Sequence, residues 1–157
     1  MKTLYLIRHA KSDWTNPELK DIERYLNERG YSNANMMSTK FDRVPDLIIS
    51  SPAIRAMSTA LIFARNLNYN ANNIVIKQEL YESSVQDYLS VINSIDNNFN
   101  TVLLFAHNPT ISDVAQTLTQ ALPMDMPTCA IAGIKFDIID WEKAKKGELV
   151  LFDYPKK

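Results

Sequence analysis

The chain has 157 residues, 46% of them hydrophobic and 22% charged, with a formal net charge of −1. That is the size and make-up of one globular domain with one sizeable core, and so balanced a charge offers no global field for nucleic acid or an anionic membrane. Its single cysteine, Cys129, excludes an internal disulfide and a cysteine-built zinc site.

In chain order, Leu4–Ile7 is a short apolar run that reads as a buried strand, stopped by Arg8 and His9. It is too short for a signal peptide and no later stretch approaches a membrane span, so a cytoplasmic location is expected. Asp13 to Gly30 is polar and reads as a long loop, with Pro17 as breaker and Gly30 as stop. Tyr31 to Phe41 has helical spacing, with Met36 and Met37 expected in the core. Leu47–Ile49 is a second buried strand ending at Ser50-Ser51-Pro52. From Ala53 to Leu67, Ile54, Met57, Leu61 and Ala64 recur at three and four and predict an amphipathic helix, with Pro52 tolerated at its start. After a turn at Asn68 to Asn73, Ile74–Ile76 is a third strand and Val85 to Ile95 a helix. Thr101–Ala106 is the most apolar strand, followed by His107-Asn108-Pro109, a helix from Thr110 to Leu122 and a loop from Pro123 to Pro127. Ile131–Ile139 and Leu149–Phe152 read as late strands joined through Trp141 and Gly147. Strands alternating with helices predict one domain over residues 1–157, an α/β three-layer sandwich with a mostly parallel central sheet.

Three of these strands end in polar clusters: Arg8-His9, then Ser50-Ser51-Pro52 with Arg55 one turn on, then His107-Asn108. Carboxyl ends of strands line the ligand crevice in open α/β sheets. The chain's only two histidines and two of its arginines are delivered there. A lone histidine at a strand end is usually an ordinary satisfied residue, but together these types match one task. They can hold a phosphoryl dianion between two guanidiniums, with one histidine as nucleophile and one as donor.

The segment Leu6-Ile7-Arg8-His9-Ala10-Lys11-Ser12 resembles the arginine-histidine signature of the histidine phosphatase superfamily, whose fold is phosphoglycerate mutase-like. Asp21 to Gly30 is similar to that family's loop before the first helix. Ser50 to Ala56 resembles its second arginine motif and Phe105 to Pro109 its second histidine motif. Met126-Pro127-Thr128 followed by Ala130 resembles a segment of the SixA-like branch. Two positions depart from the pattern: Tyr25, where many relatives carry proline, and Cys129, where relatives often carry glycine.

The resemblance implies that neutral His9 attacks phosphorus in line, forms a phosphohistidine and is freed by water. Arg8, Arg55 and a protonated His107 would donate to the equatorial oxygens. Asn108 would donate too, or simply cap the following helix. Relatives place a carboxylate after the third strand, which implies Glu82 as leaving-group acid, against the plainer reading of an exposed charge near a helix start. Ser12 and Lys11 lie beside the nucleophile, Lys11 as a solvated charge. Opposite protonation of His9 and His107 around the ordinary value of ~6.5 predicts a bell-shaped pH dependence.

Other chemistries fit less well. Cys129 and Lys135 imitate the Cys-x5-Arg loop of cysteine phosphatases, but the final residue is Lys and the intervening residues read as strand. Glycines at 30, 133 and 147 alone make neither a Walker loop nor a dinucleotide fingerprint. Two distant histidines without an acidic cluster give poor metal spacing, so no metal or other cofactor is expected. No segment between Arg55, Glu82 and His107 has the length for a lid, which suits a phosphorylated protein substrate, with phosphohistidine as the group the SixA-like resemblance implies. The alternatives are a small-molecule phosphomonoesterase or mutase, and a silent protein that binds phosphate-like anions. No nucleic-acid or membrane partner is expected.

Overall fold

Leu4 and Leu6 of β1 (Lys2–Arg8) pack into one hydrophobic cluster, while Tyr5 and Ile7 between them pack into another. A strand apolar on both faces needs a layer of helices on each side. The computed structural model describes residues 1–121 and 125–156 and supplies both layers. Six strands form one sheet in the order β3-β2-β4-β1-β5-β6, the others being β2 (Leu47–Ser50), β3 (Val75–Ile76), β4 (Thr101–Ala106), β5 (Ile131–Phe136) and β6 (Glu148–Asp153). β1 to β4 run parallel, and β5 and β6 close the far side antiparallel. The sheet is thus mostly parallel, as expected. Helices α1 (Glu28–Lys40) and α2 (Ile54–Asn66) cover the Tyr5 face; α3 (Val85–Asn93) and α4 (Thr110–Thr119) cover the Leu4 face.

Several boundaries and faces differ from expectation. The segment before α1 is not all loop: Asp21–Glu23 is a 3-10 turn and α1 begins at Glu28, capped by the Asn27 side chain on the Gly30 amide at 2.8 Å. Gly30 is therefore not a stop but lies in the helix's first turn, where an added Cβ would stand 2.1 Å from the Lys11 carbonyl oxygen. Met37 is in the core, but Met36 is exposed. In α2 the buried side is Ala56, Thr59, Ala60 and Phe63 with Arg55, leaving Ile54 and Leu61 outside. Of the expected stripe, Ala64 is buried and Met57 half-buried, so hydrophobic spacing misplaced only Ile54 and Leu61, while Ile62 joins the buried side. Ala53, not Pro52, precedes its first turn. β3 is two exposed residues, β5 stops at Phe136, and Trp141 sits in a 3-10 turn. Leu122 and Pro123, expected at the end of α4 and the start of the next loop, lie outside the described residues. No helix among the described residues is long and apolar enough to cross a membrane.

Candidate active site

β4 lies between β2 and β1, and the hydrogen-bond ladder runs one residue past the strands on both of its sides. His9 N–H donates to the Ala106 carbonyl at 3.1 Å, and Ser51 N–H to the Phe105 carbonyl at 3.0 Å. His9, Ser51 and His107 therefore inherit the register of the sheet rather than the freedom of loops. The two imidazole centroids are 5.3 Å apart.

The His9 Nδ1 lies 2.7 Å from the Ala10 carbonyl oxygen, which can only accept, so the ring proton belongs on Nδ1 and the lone pair on Nε2. Thr59 of α2 fixes that turn by accepting from the Ala10 N–H at 2.9 Å. Burial, with Arg55 and Arg8 nearby, lowers the His9 pKa to about 4. His9 is thus neutral at neutral pH, as a nitrogen nucleophile must be.

His107 Nε2 meets Ser51 Oγ at 2.7 Å, while its buried Nδ1 has no partner among the described residues. The expected positive charge on His107 is not what its surroundings favour. Burial first, then His9 and Arg55, push it down to about 3. The two histidines do not take opposite protonation states from the chain's own groups. A charge on His107 has to come with a bound anion, which favours the cationic form.

Arg8 gives one N–H to the Met126 carbonyl at 2.9 Å, and its buried Nε is unpartnered among the described residues. Burial lowers its pKa, Asp125 works against that, and Arg55 adds to it. Arg55, second residue of α2, sits at the helix end whose free N–H groups favour anions. It spends one N–H on the Asp21 carbonyl at 2.7 Å and one on the Asp21 carboxylate at 3.1 Å, leaving three of its five donors. Asp21 also accepts from the Tyr81 hydroxyl at 2.5 Å. Burial works to raise the Asp21 carboxyl, but Tyr81 and Arg55 outweigh it and hold it below the usual range. Burial and the Asp21 carboxylate keep the Tyr81 phenol protonated far above neutrality. The Tyr81 ring stands edge-on to His107 at 5.6 Å.

Asp21, Ser51 and Tyr81 were not singled out from sequence. Asp21 and Ser51 lay inside motif segments, but nothing in their spacing told that they orient Arg55 and His107. Tyr81 gave no signal apart from standing next to Glu82. Glu82 itself is exposed, with a left-handed φ of 49°, on the wall of a cavity of about 370 Å³ shared with Asp21, Arg55, Tyr81 and His107. Asn108 lines that cavity too, but its amide nitrogen already makes two bonds, to Asp125 at 3.1 Å and the Met126 carbonyl at 3.0 Å. Its oxygen accepts from Ser112 at 2.5 Å. These bonds leave no amide proton for an anion. They tie the start of α4 to the 125–126 segment that accepts from Arg8.

Cys129 adopts φ 62°, a left-handed conformation that favours glycine, and its N–H donates to the carbonyls of Arg8 and His9 at 3.1 and 3.0 Å. That is the physical reason glycine suits this position. Burial pushes its thiol up to about 12, so no thiolate nucleophile stands here.

Against this geometry, residues 4–99 match the family model of the histidine phosphatase superfamily, branch 1. The chain belongs to that superfamily. A protein provisionally named phosphohistidine phosphatase SixA from Agrobacterium tumefaciens superposes with a TM-score of 0.83 at 30% identity, over 99% of both chains. The protein histidine phosphatase SixA in complex with tungstate shares the fold, with a TM-score of 0.82 at 20% identity over 97% of this chain and 96% of that one. A provisionally named phosphoserine phosphatase 2 from Hydrogenobacter thermophilus is 32% identical over 91 residues, which are 56% of this chain and 43% of that protein. Family and neighbours support phosphatase activity for this superfamily member.

Proposed function

We propose that the chain hydrolyses phosphohistidine on proteins, with His9 as the nucleophile. The observation that carries this reading is the Nδ1–H bond of His9 to Ala10, which leaves a bare Nε2 among two guanidiniums and a second imidazole. Nε2 forms a bond to phosphorus as the bond to the leaving nitrogen breaks, and the departing imidazole takes up a proton from solvent. Water then attacks phosphorus, the bond to Nε2 breaks, and inorganic phosphate leaves. Arg8, Arg55 and the Nδ1 or Nε2 proton of His107 stabilise the charge spread over the equatorial oxygens.

An imidazole leaves phosphorus more readily than an alkoxide, so this reaction makes little demand on an acid. Glu82 at the cavity wall favours a second reading, a phosphomonoesterase acting on alkyl phosphates, for which such an acid contributes typically ~10²–10⁴-fold. Incubation with a labelled phosphodonor and acid-labile trapping tests the mechanism. Wild type should carry label on His9, and His9→Ala should carry none and turn over below about a hundredth of the wild-type rate. Substantial turnover by His9→Ala would remove the nucleophile role. A strong wild-type preference for a small sugar phosphate over a histidine-phosphorylated protein would favour the second reading.

A further inference from the structure

Resting on the protein-substrate reading, the structure assigns the indole of Trp14 as a docking platform for the polypeptide beside the phosphorylated residue, where it receives an apolar side chain. Trp14 is 57% exposed, yet it is held in place. Its Nε1–H donates to Ser12 Oγ at 2.8 Å, and the Arg24 guanidinium lies 4.6 Å from the ring centroid. Arg24 is itself only 7% exposed and donates to the Asn16 carbonyl, so its side chain is fixed beneath the ring. An exposed indole with its orientation already set loses little entropy on binding, and Trp and Arg are the residues that dominate interfaces.

The loop that carries the platform is hydrogen-bonded to the phosphate clamp. The Asp21 carbonyl accepts both from the Arg24 backbone N–H at 3.1 Å and from the Arg55 guanidinium at 2.7 Å. The other end of the segment is anchored next to the nucleophile, where Asn27 N–H donates to the Lys11 carbonyl at 3.0 Å and Ser12 bridges Leu26. Three steps, from the indole to Arg24, from Arg24 to Asp21 and from Asp21 to Arg55, therefore link the platform to the clamp indirectly. A substrate whose phosphoryl group sits at Arg55 carries its neighbouring residues out over this loop. One face of the indole is taken by Arg24, and the remaining exposure offers an apolar contact there. Trp14 plays no part in the chemistry; it is a residue for specificity.

Three phosphoramidates sharing one leaving group test this: phosphoimidazole, a phosphohistidine peptide flanked by leucines, and the same peptide flanked by glycines. Wild type should favour the leucine peptide over both others by about tenfold in kcat/KM, mostly through KM, the scale expected for burying one apolar side chain. Trp14→Ala should erase that preference while keeping the phosphoimidazole rate within about twofold, and Trp14→Phe should restore part of it. A wild type indifferent to the flanks, or a Trp14→Ala variant that keeps the preference, would overturn the assignment. Equal loss on all three substrates would also overturn it, since Trp14 would then merely hold the loop. Inertness of the wild type toward all three, with an alkyl phosphate hydrolysed, would instead sink the phosphohistidine reading on which the platform rests.

Discussion

The two ends of the parallel strands use buried polar groups in opposite ways. At the amino ends, the buried Lys2 ammonium is held by the Asn97 carbonyl and Asn100 Oδ1 at 2.5 and 2.8 Å. Asp46 accepts from the amides of Asn100 and Thr101, Asn97 accepts from Trp141 N–H, and the Trp141 indole donates to the Phe99 carbonyl. At the carboxyl ends, Arg8 Nε and His107 Nδ1 are buried without a partner among the described residues. Buried polar groups are nearly always satisfied, so unsatisfied ones at one end of a sheet mark where a ligand completes the bonding. One end spends its polar groups on bonds within the fold; the other holds them unpaired among the described residues, where the proposed chemistry would use them.

Cavity size does not make that distinction. The larger cavity, of about 560 Å³, lies toward the amino ends of β2 and β3 among Leu47, Ile49, Val91, Ile95 and Phe99. The cavity holding Arg55 and His107 is about 370 Å³. Charge and unmet hydrogen bonds distinguish the proposed active site; volume does not.

The sharpest way to break the contrast is at Arg55. Arg55→Ala should lower kcat/KM by about 10³-fold or more with little change in Tm, and Arg55→Lys should recover only part, because an ammonium lacks the planar grip of a guanidinium. Asp21→Asn should cost less, about tenfold, since it loosens Arg55 without removing it. A variant at Arg55 that lost stability but kept activity would reverse the assignment of this end to chemistry.

The pH dependence is a milder probe. His9 and His107 have pKa values pushed down to about 4 and about 3, against an unfolded value of 6.5. The rate in kcat/KM should therefore not fall as pH drops from 7 to about 5, and should decline only as His9 protonates near 4. Stability follows a different course. Above pH 6.5 both states carry neutral imidazoles and no proton is exchanged on unfolding. Between about 6.5 and 4 the unfolded chain binds protons that the folded chain refuses, so Tm should fall with pH across that window. Replacing both histidines by asparagine should flatten this slope. A loss of kcat/KM centred near 6.5 would show that His9 is not held neutral by its surroundings.

The smallest effect on activity belongs to the amino ends. Lys2→Met should lower stability by about 0.5–1.5 kcal/mol, because it removes the donor of two part-buried hydrogen bonds to Asn97 and Asn100, and should leave kcat/KM within about twofold. Thermal melts and steady-state rates on one preparation check both halves. An activity loss matching that of Asp21→Asn would mean the two ends are coupled rather than divided in labour.

Much of this was readable in the chain itself. Apolar runs bounded by Arg8-His9, Ser50-Ser51 and His107 were enough to place strands, their polar ends and the residues that meet there, because burial and strand termination are local properties of composition. The α/β class followed from the alternation of such runs with helical spacing. What the chain left open were properties of neighbours distant in sequence. Gly30 looked like a stop because nothing local reveals the Lys11 carbonyl pressed against it. Ile54 and Leu61 looked like core because hydrophobicity does not say which face of α2 the chain turns toward the sheet. Asp21 gained its role from Arg55, thirty-four residues away, and from Tyr81, sixty away. The neutrality of His107 was likewise invisible in sequence, since burial and the nearness of His9 and Arg55 arise only when β1, β2 and β4 lie side by side. Residue types and their periodicity determined which chemistry was within reach; the tertiary structure decided orientation, charge state and partners, because each depends on distances that only folding sets.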